Sequence, residues 1–383
     1  MLLDLVIVGA GPVGATLALG VAGAGLDVAV LDARESGAAA RGDRTLALSH
    51  GTRLVFERLG IWPALAADPA AITPITSIDI SQAGGFGVTV LDAADHALPA
   101  LGYVVSYRAL QAALDAALAN RAVPVRFGAS VATVGGTPAY AAVTLASGEV
   151  MTARLAAVAD GSGATVAGIA REHRAYGQVA LVAKVETDPP QSGRAYERFT
   201  ARGPLALLPE HDGYGLVWTM TPAEAERVHA LPDAQFLGEL ALAFGPHAGR
   251  FLRAGSRRTF ALGLEIARPT VGARVVVIGN AAQALHPVAG QGFNLGLRDA
   301  HELAQSIIDA PRDALGDRRM LAAYASARRA DRLSGIAFTH GLVHLFGTEL
   351  PFVRWPRGIA LALLDALPPA KRAFTRAMLF GVR

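Results

Sequence analysis

A short glycine-rich motif near the start of the sequence constrains the fold more than any other segment. It reads Gly9-Ala10-Gly11-Pro12-Val13-Gly14 and matches the pattern GxGxxG. Residues 3–8, before it, form an apolar run typical of a buried strand, residues 12–24 predict a helix of small residues, and residues 28–31 predict a second strand. This order predicts a βαβ unit that binds the phosphates of a dinucleotide at the N-terminus of its helix.

Each glycine of this motif has a separate steric task. The first makes the tight turn, the second lets the backbone approach a pyrophosphate, and the third allows helix and strand to pack closely. Asp32 ends the second strand, where a carboxylate accepts hydrogen bonds from an adenosine ribose. The cofactor contacts predicted here are Gly9, Gly11, Pro12, Val13, Gly14, Asp32, Ala33 and Arg34. FAD and NAD both fit this segment, and a glycine-rich helix start that binds nothing is the alternative.

Composition narrows the class of protein. Of the 383 residues 52% are hydrophobic and 17% are charged, which excludes an intrinsically disordered chain. The longest apolar stretch, residues 12–31, is interrupted by four glycines and Asp27, so we expect a cytoplasmic protein without a membrane span. The absence of cysteine excludes disulfides and thiolate metal sites, and a net charge of +3 gives no reason to expect nucleic acid as a partner.

The rest of the chain predicts a mixed α/β fold. Helical patterns cover residues 49–67, 107–119 and 233–244, short strand-like runs cover 123–158, and a β-rich region with a hairpin at 211–215 covers 173–268. Residues 274–278 predict a buried strand and 301–308 a helix, and the sequence after that is mostly helical. Breaks in this last region are expected at Pro351, Pro356, Pro368 and Pro369.

A second loop favours FAD over NAD. After the strand at 274–278 the sequence continues Gly279-Asn280-Ala281-Ala282, then His286-Pro287, then Gly290-Gln291-Gly292-Phe293-Asn294, which opens a helix. A proline-fixed loop followed by a glycine-rich helix start presents backbone N–H groups to a group that becomes anionic. The N1–C2=O edge of a reduced flavin is such a group.

The segment GNAAQALHPVAGQGFNLGLRD (279–299) resembles the FAD-dependent aromatic hydroxylases of the group A flavoprotein monooxygenases, and within them the UbiH-like ubiquinone-biosynthesis hydroxylases. Residues 44–62 and 193–209 are similar to the same proteins. The resemblance implies a discontinuous Rossmann-like FAD-binding domain of the glutathione-reductase-like type (1–73, 105–172 and 269–330). It also implies an inserted β-sheet substrate domain (74–104 and 173–268) and a helical C-terminal region (331–383).

The resemblance also assigns residues to parts of the cofactor. Arg44 and Arg108 would lie at its phosphate and ribityl region, and Asn280 at the ribityl chain. Asp160-Gly161 resembles the family's DG motif, which contacts the cofactor and is associated with NAD(P)H use, but Ala164 and Ala167 stand where the usual Ser and Arg follow. The remaining implied cofactor contacts are Val131, Pro287, Gly290, Gln291, Gly292, Phe293 and Asn294.

The implied reaction is hydroxylation of the aromatic ring of a polyprenyl-phenol in ubiquinone biosynthesis. It would use O₂, NAD(P)H or another electron donor, and a flavin C4a-hydroperoxide, without a metal. His286 and Pro287 are the expected catalytic residues, and His286 would be a base with a pKa near neutrality. A purely structural loop histidine is the alternative.

Two further interpretations concern the substrate. Phe199, Tyr214, Trp218 and Phe260 form either the ring pocket or part of a strand core. The apolar helical stretch after Phe338, with Arg354, Trp355 and Arg357 and then Lys371, Arg372 and Arg376, suits peripheral contact with the inner membrane face or docking to a ubiquinone-biosynthesis complex; a helical lid or a dimer surface is the alternative.

Three other functions remain open at this point. The first is the same chemistry on a small soluble aromatic compound. The second is an FAD-dependent oxidase or prenyl reductase, and the third is a flavin-binding scaffold without activity.

Overall fold

A computed structural model describes residues 2–37, 45–161, 163–200, 202–287, 290–346 and 351–382, without the side chains of 343, 345, 346 and 351–354. The strands are β1 Leu2–Val8, β2 Val28–Leu31, β3 Thr45–Ser49, β4 Ile72–Ile75, β5 Ser77–Gln82, β6 Val88–Asp92, β7 Gly102–Ser106, β8 Val125–Arg126, β9 Val131–Gly136, β10 Ala141–Leu145, β11 Val150–Val158, β12 Thr165–Val166, β13 Ala170–Asp188, β14 Arg194–Thr200, β15 Gly203–Glu210, β16 Gly213–Met220, β17 Arg250–Ala254, β18 Arg258–Arg268, β19 Val271–Gly272, β20 Val275–Val277 and β21 Gln283–Ala284.

The helices alternate with these strands early in the chain and dominate it after residue 290. They are α1 Pro12–Val21, α2 His50–Arg58, α3 Trp62–Ala66, α4 Tyr107–Asn120, α5 Pro222–Ala230, α6 Asp233–Phe244, α7 Gln291–Ile308, α8 Arg318–Phe346, α9 Pro351–Ala366 and α10 Pro368–Phe380. No described helix has the length and mean hydropathy needed to cross a membrane.

The first sheet carries the predicted βαβ unit. Its order is β12-β9-β10-β11-β1-β2-β8, and β20 pairs with the end of β11. β1 runs parallel to its two neighbours, β2 and β11. β8 runs parallel to β2, and β20 runs parallel to β11. Apolar side chains of α1, α4 and α7 cover one face, and β9, β10 and β12 contribute to the core on the other. The carboxyl ends of β1, β11 and β20 therefore meet at one edge, where ligands bind in open α/β sheets.

The second sheet has the order β21-β18-β13-β16-β15-β14-β5-β6. Because side chains alternate along a strand, its two faces differ. One face packs on α5 and α6 through a core that contains Trp218, Phe236 and Phe244. The other face lies toward a small third sheet, β3-β7-β4, and toward the helices α8, α9 and α10. The predicted α/β fold with a β-rich insertion and a helical end is confirmed.

The proposed domain boundaries stay a prediction, but one local expectation about the fold is wrong and one helix was not predicted. Pro356 does not break the helical region, since α9 begins at Pro351 and includes it. The sequence analysis also missed α5, whose start is marked by a capping box between Thr221 and Glu224. β21 lies within the range predicted for the FAD-binding domain, yet it pairs with β18 of the second sheet.

Candidate active site

The three glycines of the first motif are held by different constraints. Gly9 has φ +99°, a region that favours glycine. A Cβ on Gly14 would lie 1.9 Å from the carbonyl oxygen of Gly9, so α1 packs on the loop with no space for a side chain. A Cβ on Gly11 would meet nothing of the described protein within 4 Å. Protein packing alone would thus tolerate a side chain at the second glycine, and the open space there is where a pyrophosphate is expected to approach the backbone.

Two helix N-termini at this edge lack side-chain caps. Gly11 is the N-cap of α1 and Gly290, with φ +61°, is the N-cap of α7. Ser49, Ser106 and Thr221, in contrast, cap α2, α4 and α5 with their hydroxyl groups. The helices α3, α6 and α10 also lack side-chain caps, but the N-termini of α1 and α7 lie at the two glycine-rich loops, where their N–H groups can bind an anion. The chain thus offers one such terminus for a pyrophosphate and another for an anionic flavin edge, which fits FAD.

Asp32, which is predicted to contact the adenosine ribose, also stabilises the first glycine-rich loop. Its Oδ2 accepts a hydrogen bond of 2.6 Å from the backbone N–H of Ala10, and its Oδ1 accepts from the backbone and side chain of Arg34. A carboxylate has about four acceptor positions, so one is left for a ribose hydroxyl. Arg34 also pairs with Asp115. Ala33 and Arg108 are exposed, and Arg44 lies outside the described residues.

Gln111 of α4 was missed by the sequence analysis. Its side-chain amide donates to the carbonyl oxygen of Ala10 at 2.9 Å and to Asp115 at 2.8 Å. Its Oε1 is buried and finds no hydrogen-bond partner among the described residues. A lone glutamine in the middle of a helix gives no motif signal, so only the tertiary structure brings it to the first loop.

The predicted DG motif lies beside this loop. A Cβ on Gly9 would be 2.9 Å from the Cα of Asp160, and Gly161 has φ +86°. Asp160 Oδ2 accepts from the backbone N–H of Ala164, while its Oδ1 is buried without a hydrogen-bond partner in the part of the chain that the structure describes. A buried carboxylate oxygen without a hydrogen-bond donor is expected where a bound ligand supplies that donor. Val131 is half-buried against the core of the first sheet.

The second predicted loop packs directly on the first. Gly279, with φ +61°, lies against Val13, and a Cβ on Gly296 of α7 would be 2.9 Å from the Cα of Gly279. Asn280 is exposed and faces a cavity. The structure therefore brings the two predicted glycine-rich segments together.

Asn294 fixes the start of α7. It is 3% exposed, and its Oδ1 accepts hydrogen bonds from the backbone N–H of Ser49 and the hydroxyl of Thr52. Its Nδ2 donates to the carbonyl oxygens of Ala47 and Gly290. Its hydrogen bonds thus tie the loop to β3 and α2, and its contact with the isoalloxazine stays a prediction.

His286 is 1% exposed and lines the same cavity. Burial lowers the pKa of its imidazole to about 4. Its ring meets the ring of Tyr176 edge to face, with centroids 5.7 Å apart, and the Tyr176 hydroxyl lies 3.2 Å from Nδ1 of His340. The expected pKa near neutrality is therefore wrong, because burial disfavours the charged imidazolium. Its imidazole is neutral at ordinary pH and can still exchange hydrogen bonds with a phenol.

The cavity has a volume of about 530 Å³ and lies between the second sheet, β3, the second loop and the C-terminal helices. Polar side chains from the loop and its neighbours lie at one part of its wall: Ser49, Asn280, His286, Gln291 and Asn294, together with Pro287, Gly290, Gly292 and Phe293. Most of the remaining wall is apolar: Ile75, Ile78, Ile80, Leu91, Phe199, Ala206, Leu208, Val217, Phe338, Leu342, Leu361, Leu364, Phe374, Met378 and Leu379. Further polar groups come from Thr45, Tyr196, Glu197, Thr219 and Arg357.

Of the two interpretations given for the four aromatic residues, the strand core is confirmed for two of them and a place at the cavity for one. Phe199 lines the cavity, but Tyr214 and Trp218 belong to the core beneath α5 and α6. Val217 and Thr219 face the cavity on the same strand, so alternation directs Trp218 to the opposite face. Phe260 is 50% exposed on β18. The C-terminal helices form the part of the cavity wall that the predicted aromatic residues do not form. This agrees with the alternative that the stretch after Phe338 is a helical lid.

A buried ionic network supports the second loop from behind. Asp299 of α7 accepts from Gln283 and Arg328, and Arg328 also bonds to Asp331, at distances of 2.7 to 2.9 Å. Arg298 donates to Asp331 as well. Burial would raise the pKa of Asp331, but the hydrogen bonds and charges of Arg298 and Arg328 lower it. The sequence analysis missed this network because its members are separated along the chain.

Comparison with known proteins agrees with this site. Residues 3–333 match the family model described as FAD binding domain. Ubiquinone hydroxylase UbiL from Rhodospirillum rubrum is 34% identical over 387 residues, which cover 97% of this chain and 88% of that protein. The 3-demethoxyubiquinol 3-hydroxylase of Escherichia coli (strain K12) is 31% identical over 385 residues, with 96% of each chain covered.

Among solved structures, p-nitrophenol 4-monooxygenase PnpA from Pseudomonas putida DLL-E4 has the same fold. It superposes with a TM-score of 0.79 over 100% of this chain and 99% of that chain, at 18% sequence identity.

Proposed function

Since the chain belongs to the FAD binding domain family, we propose that it is an FAD-dependent monooxygenase that hydroxylates the aromatic ring of a polyprenyl-phenol in ubiquinone biosynthesis. The expectation of an FAD-dependent aromatic monooxygenase is confirmed by the family and by the hydroxylases among its relatives. The prenylated ring as substrate is supported by the names of the two relatives and by the shape of the cavity.

The observation that carries the proposal is the uneven lining of the cavity. The second loop and the start of α7 contribute four polar side chains, Asn280, His286, Gln291 and Asn294, whereas the second sheet and α8, α9 and α10 contribute mainly apolar ones, with Tyr196, Glu197, Thr219 and Arg357 as polar exceptions. A ligand pocket is mostly apolar with a few polar groups that fix orientation. A phenol ring at the polar part with its apolar tail along the remaining wall matches this arrangement.

Each part of the chain then has a defined task. FAD supplies the oxygen chemistry when bound, and the open N-termini of α1 and α7 would hold its anionic groups. His286 stays neutral and exchanges a hydrogen bond with the phenol hydroxyl, which orients the ring. The apolar wall excludes water, which protects an activated oxygen species from unproductive reaction.

The central experiment compares substrates with and without a tail. The purified protein with FAD, O₂ and a reductant is expected to convert a short-tailed prenyl-phenol to a product heavier by one oxygen atom, with kcat/KM about 10-fold or more above that of the same phenol without a tail. Equal rates on both would favour the soluble aromatic compound as substrate. FAD binding without any hydroxylated product would favour the scaffold.

A pair of variants tests whether the cavity holds the tail. Ala206→Phe fills part of the apolar wall, whereas Ala241→Phe adds the same ring to the exposed side of α6. We expect the first variant to lose the advantage of the tailed substrate and the second to keep it. Loss in both variants, or in neither, contradicts the assignment of the cavity.

The ring position and the electron donor follow from two further measurements. Expression in bacterial strains that each lack one quinone-ring hydroxylase identifies the carbon by the intermediate that disappears, and rescue of none contradicts the proposal. We propose NAD(P)H as the donor, although Ala164 and Ala167 depart from the family motif. Anaerobic bleaching of the flavin by NADH and by NADPH, measured separately, tests this.

We further propose that the enzyme works on the cytoplasmic side of the inner membrane, in contact with the membrane or with other enzymes of the pathway. A polyprenyl-phenol partitions into lipid, so its enzyme must meet it at a lipid surface or receive it from a partner. Fractionation of cells that express the protein at native level tests this, and a protein found only away from the membrane and from pathway enzymes contradicts it.

A further inference from the structure

Helix α9 has apolar side chains on two opposite faces. Leu361 and Leu364 point into the cavity. On the outer side, Trp355 is 66% exposed, Ile359 48% and Leu363 53%. These three residues are spaced by four, which places them in one stripe along the helix. A surface helix is normally polar on its outer face, so a second apolar face indicates a second apolar surrounding.

The stripe continues beyond the helix. Leu367, four residues after Leu363, is also about half exposed. On the neighbouring β5–β6 hairpin, Phe86 and Val88 are more than two-fifths exposed, and the rings of Phe86 and Trp355 lie with their centroids 5.1 Å apart. We call these six residues, Phe86, Val88, Trp355, Ile359, Leu363 and Leu367, the outer patch. A contiguous exposed apolar patch of this kind marks an interaction surface.

The outer patch is held in place by the body of the protein. A Cβ on Gly87 would lie 2.2 Å from the carbonyl oxygen of Gly358, so the hairpin and α9 touch backbone to backbone. The hydroxyl of Thr89 donates to the carbonyl oxygen of Leu361 at 2.7 Å. The exposed face is therefore a fixed feature of the fold.

Positive charge lies on the adjoining helix. Arg372 and Arg376 of α10 line a surface cleft together with His96, Leu98 and Phe380, and no acidic side chain lines this cleft among the described residues. The nearby acids Asp365 and Asp95 are contacted by Lys371, at 3.2 and 3.8 Å. Arg372 and Arg376 lie on the helix that begins directly after Leu367, the last residue of the outer patch, and their guanidinium groups are complementary to the phosphates of an anionic lipid.

We propose that the outer patch inserts into the surface of an anionic bilayer, with Arg372 and Arg376 at the headgroups. This inference rests on the proposed function in one respect, which is that a lipid-dissolved substrate would then enter the cavity directly behind α9. The occupant is lipid rather than a protein because the patch combines an aromatic residue, aliphatic side chains and neighbouring arginines, the pattern of an interfacial helix.

Flotation of the FAD-loaded protein with vesicles tests this. We expect binding to vesicles that contain about 30% phosphatidylglycerol in phosphatidylcholine, and much weaker binding to phosphatidylcholine alone. The double variant Trp355→Ser, Leu363→Ser is expected to lower the partition coefficient about 10-fold or more. Leu242→Ser is the matched control, since Leu242 is 88% exposed on α6, away from the patch, and it should bind like the original protein.

A second pair of measurements separates charge from apolar insertion. Arg372→Glu with Arg376→Glu should abolish the preference for anionic vesicles, and raised salt should weaken binding of the original protein. The proposal would be overturned if the original protein did not bind anionic vesicles, or if Leu242→Ser lost as much vesicle binding as the patch variant. It would also be overturned if the patch variant lost self-association instead of vesicle binding. The last result would assign the patch to a second copy of the chain.

Activity assays keep this inference distinct from the proposed function. The patch variant should hydroxylate a water-dispersed, short-tailed phenol at the original rate and lose activity only on a long-tailed phenol embedded in vesicles. If the original protein binds vesicles but hydroxylates no prenyl-phenol, the proposed function fails and the membrane inference stands. If it hydroxylates both substrates equally well in all variants, the membrane inference fails alone.

Discussion

The side-chain oxygen of Asn294 accepts a 2.8 Å hydrogen bond from the backbone N–H of Ser49. This bond joins the start of α7, which follows the second loop, to the end of β3. The same side chain donates to the carbonyl oxygens of Ala47 and Gly290, so one buried amide joins β3 to the start of α7. Only a side chain that both donates and accepts can make this set of bonds.

Asn294→Asp tests this connection with almost no change in volume. The carboxylate would face two carbonyl oxygens without a proton to donate, so we expect the free energy of unfolding to fall by about 2–4 kcal/mol and the Kd for FAD to rise. Urea unfolding and flavin fluorescence measure the two effects. Gln305→Glu makes the same chemical change on the exposed side of α7, and it should alter stability by less than about 0.5 kcal/mol.

Gly11→Ala and Gly14→Ala should separate cofactor binding from folding. A methyl group on Gly11 meets nothing within 4 Å, so this variant is expected to fold with normal stability but to bind FAD about 10-fold or more weakly. A methyl group on Gly14 would collide with the carbonyl of Gly9, so this variant should be strongly destabilised even without FAD. Thermal unfolding of cofactor-free protein, together with FAD titration, distinguishes them. Equal behaviour of the two variants would contradict the separation.

Arg328→Met should be among the most destabilising substitutions in α8. It leaves the carboxylates of Asp299 and Asp331 buried without their shared partner, which costs about 3–5 kcal/mol. Arg250→Met removes an exposed ion pair with Asp188 and serves as the control, with no measurable change expected. In the Arg328→Met background, Asp331→Asn should cost less than it does alone, because the two side chains share one network.

The pH dependence of stability should carry the signature of His286. Because its pKa in the folded state is about 4, the unfolded chain takes up a proton between about pH 6.5 and pH 4 that the folded chain does not. The contribution of His286 to the free energy of unfolding is thus constant above about pH 6.5. It falls as the pH decreases, by about 2 kcal/mol at pH 5.

Comparison of His286→Asn with His211→Asn, an exposed histidine, at several pH values isolates this effect. The His286 variant should show the shallower decline in stability on acidification. The pH profile of kcat in the original protein should lack an ionisation of His286 between about pH 5 and pH 8. Parallel curves for all three proteins would show that His286 titrates normally.

The sequence predicted those features that neighbouring residues determine. The βαβ unit at Gly9, the helix Asp233–Phe244 and the glycine-rich opening of α7 all depend on local patterns of turn residues and periodicity. The strand alternation that sends Trp218 to one face and Val217 to the other was also present in the sequence. It could not be used, because the sequence does not show which face of the sheet is covered by α5 and α6 and which by the cavity.

The features that escaped prediction depend on contacts between distant segments. Asn294 reaches Ser49 across 245 residues and Gln111 reaches Ala10 across 101, and no periodicity encodes such pairs. The low pKa of His286 is a further case, since it results from burial by surrounding segments and not from its immediate neighbour Pro287. Pro356 shows the reverse, a strong local signal for a helix break that the packing of α9 overrides.

The outer wall of the cavity is formed by α9 and α10. These helices leave the ribosome after the segments that surround the open N-termini of α1 and α7. During synthesis the nascent chain can therefore complete a flavin site while the pocket beside it is still a groove exposed to water, and it closes only when α9 and α10 emerge. The same order offers a simple route to new specificity, since exchange of α9 and α10 would alter what fits against Phe199 and Ala206 while leaving the nucleotide loops and the supporting network on α8 as they are.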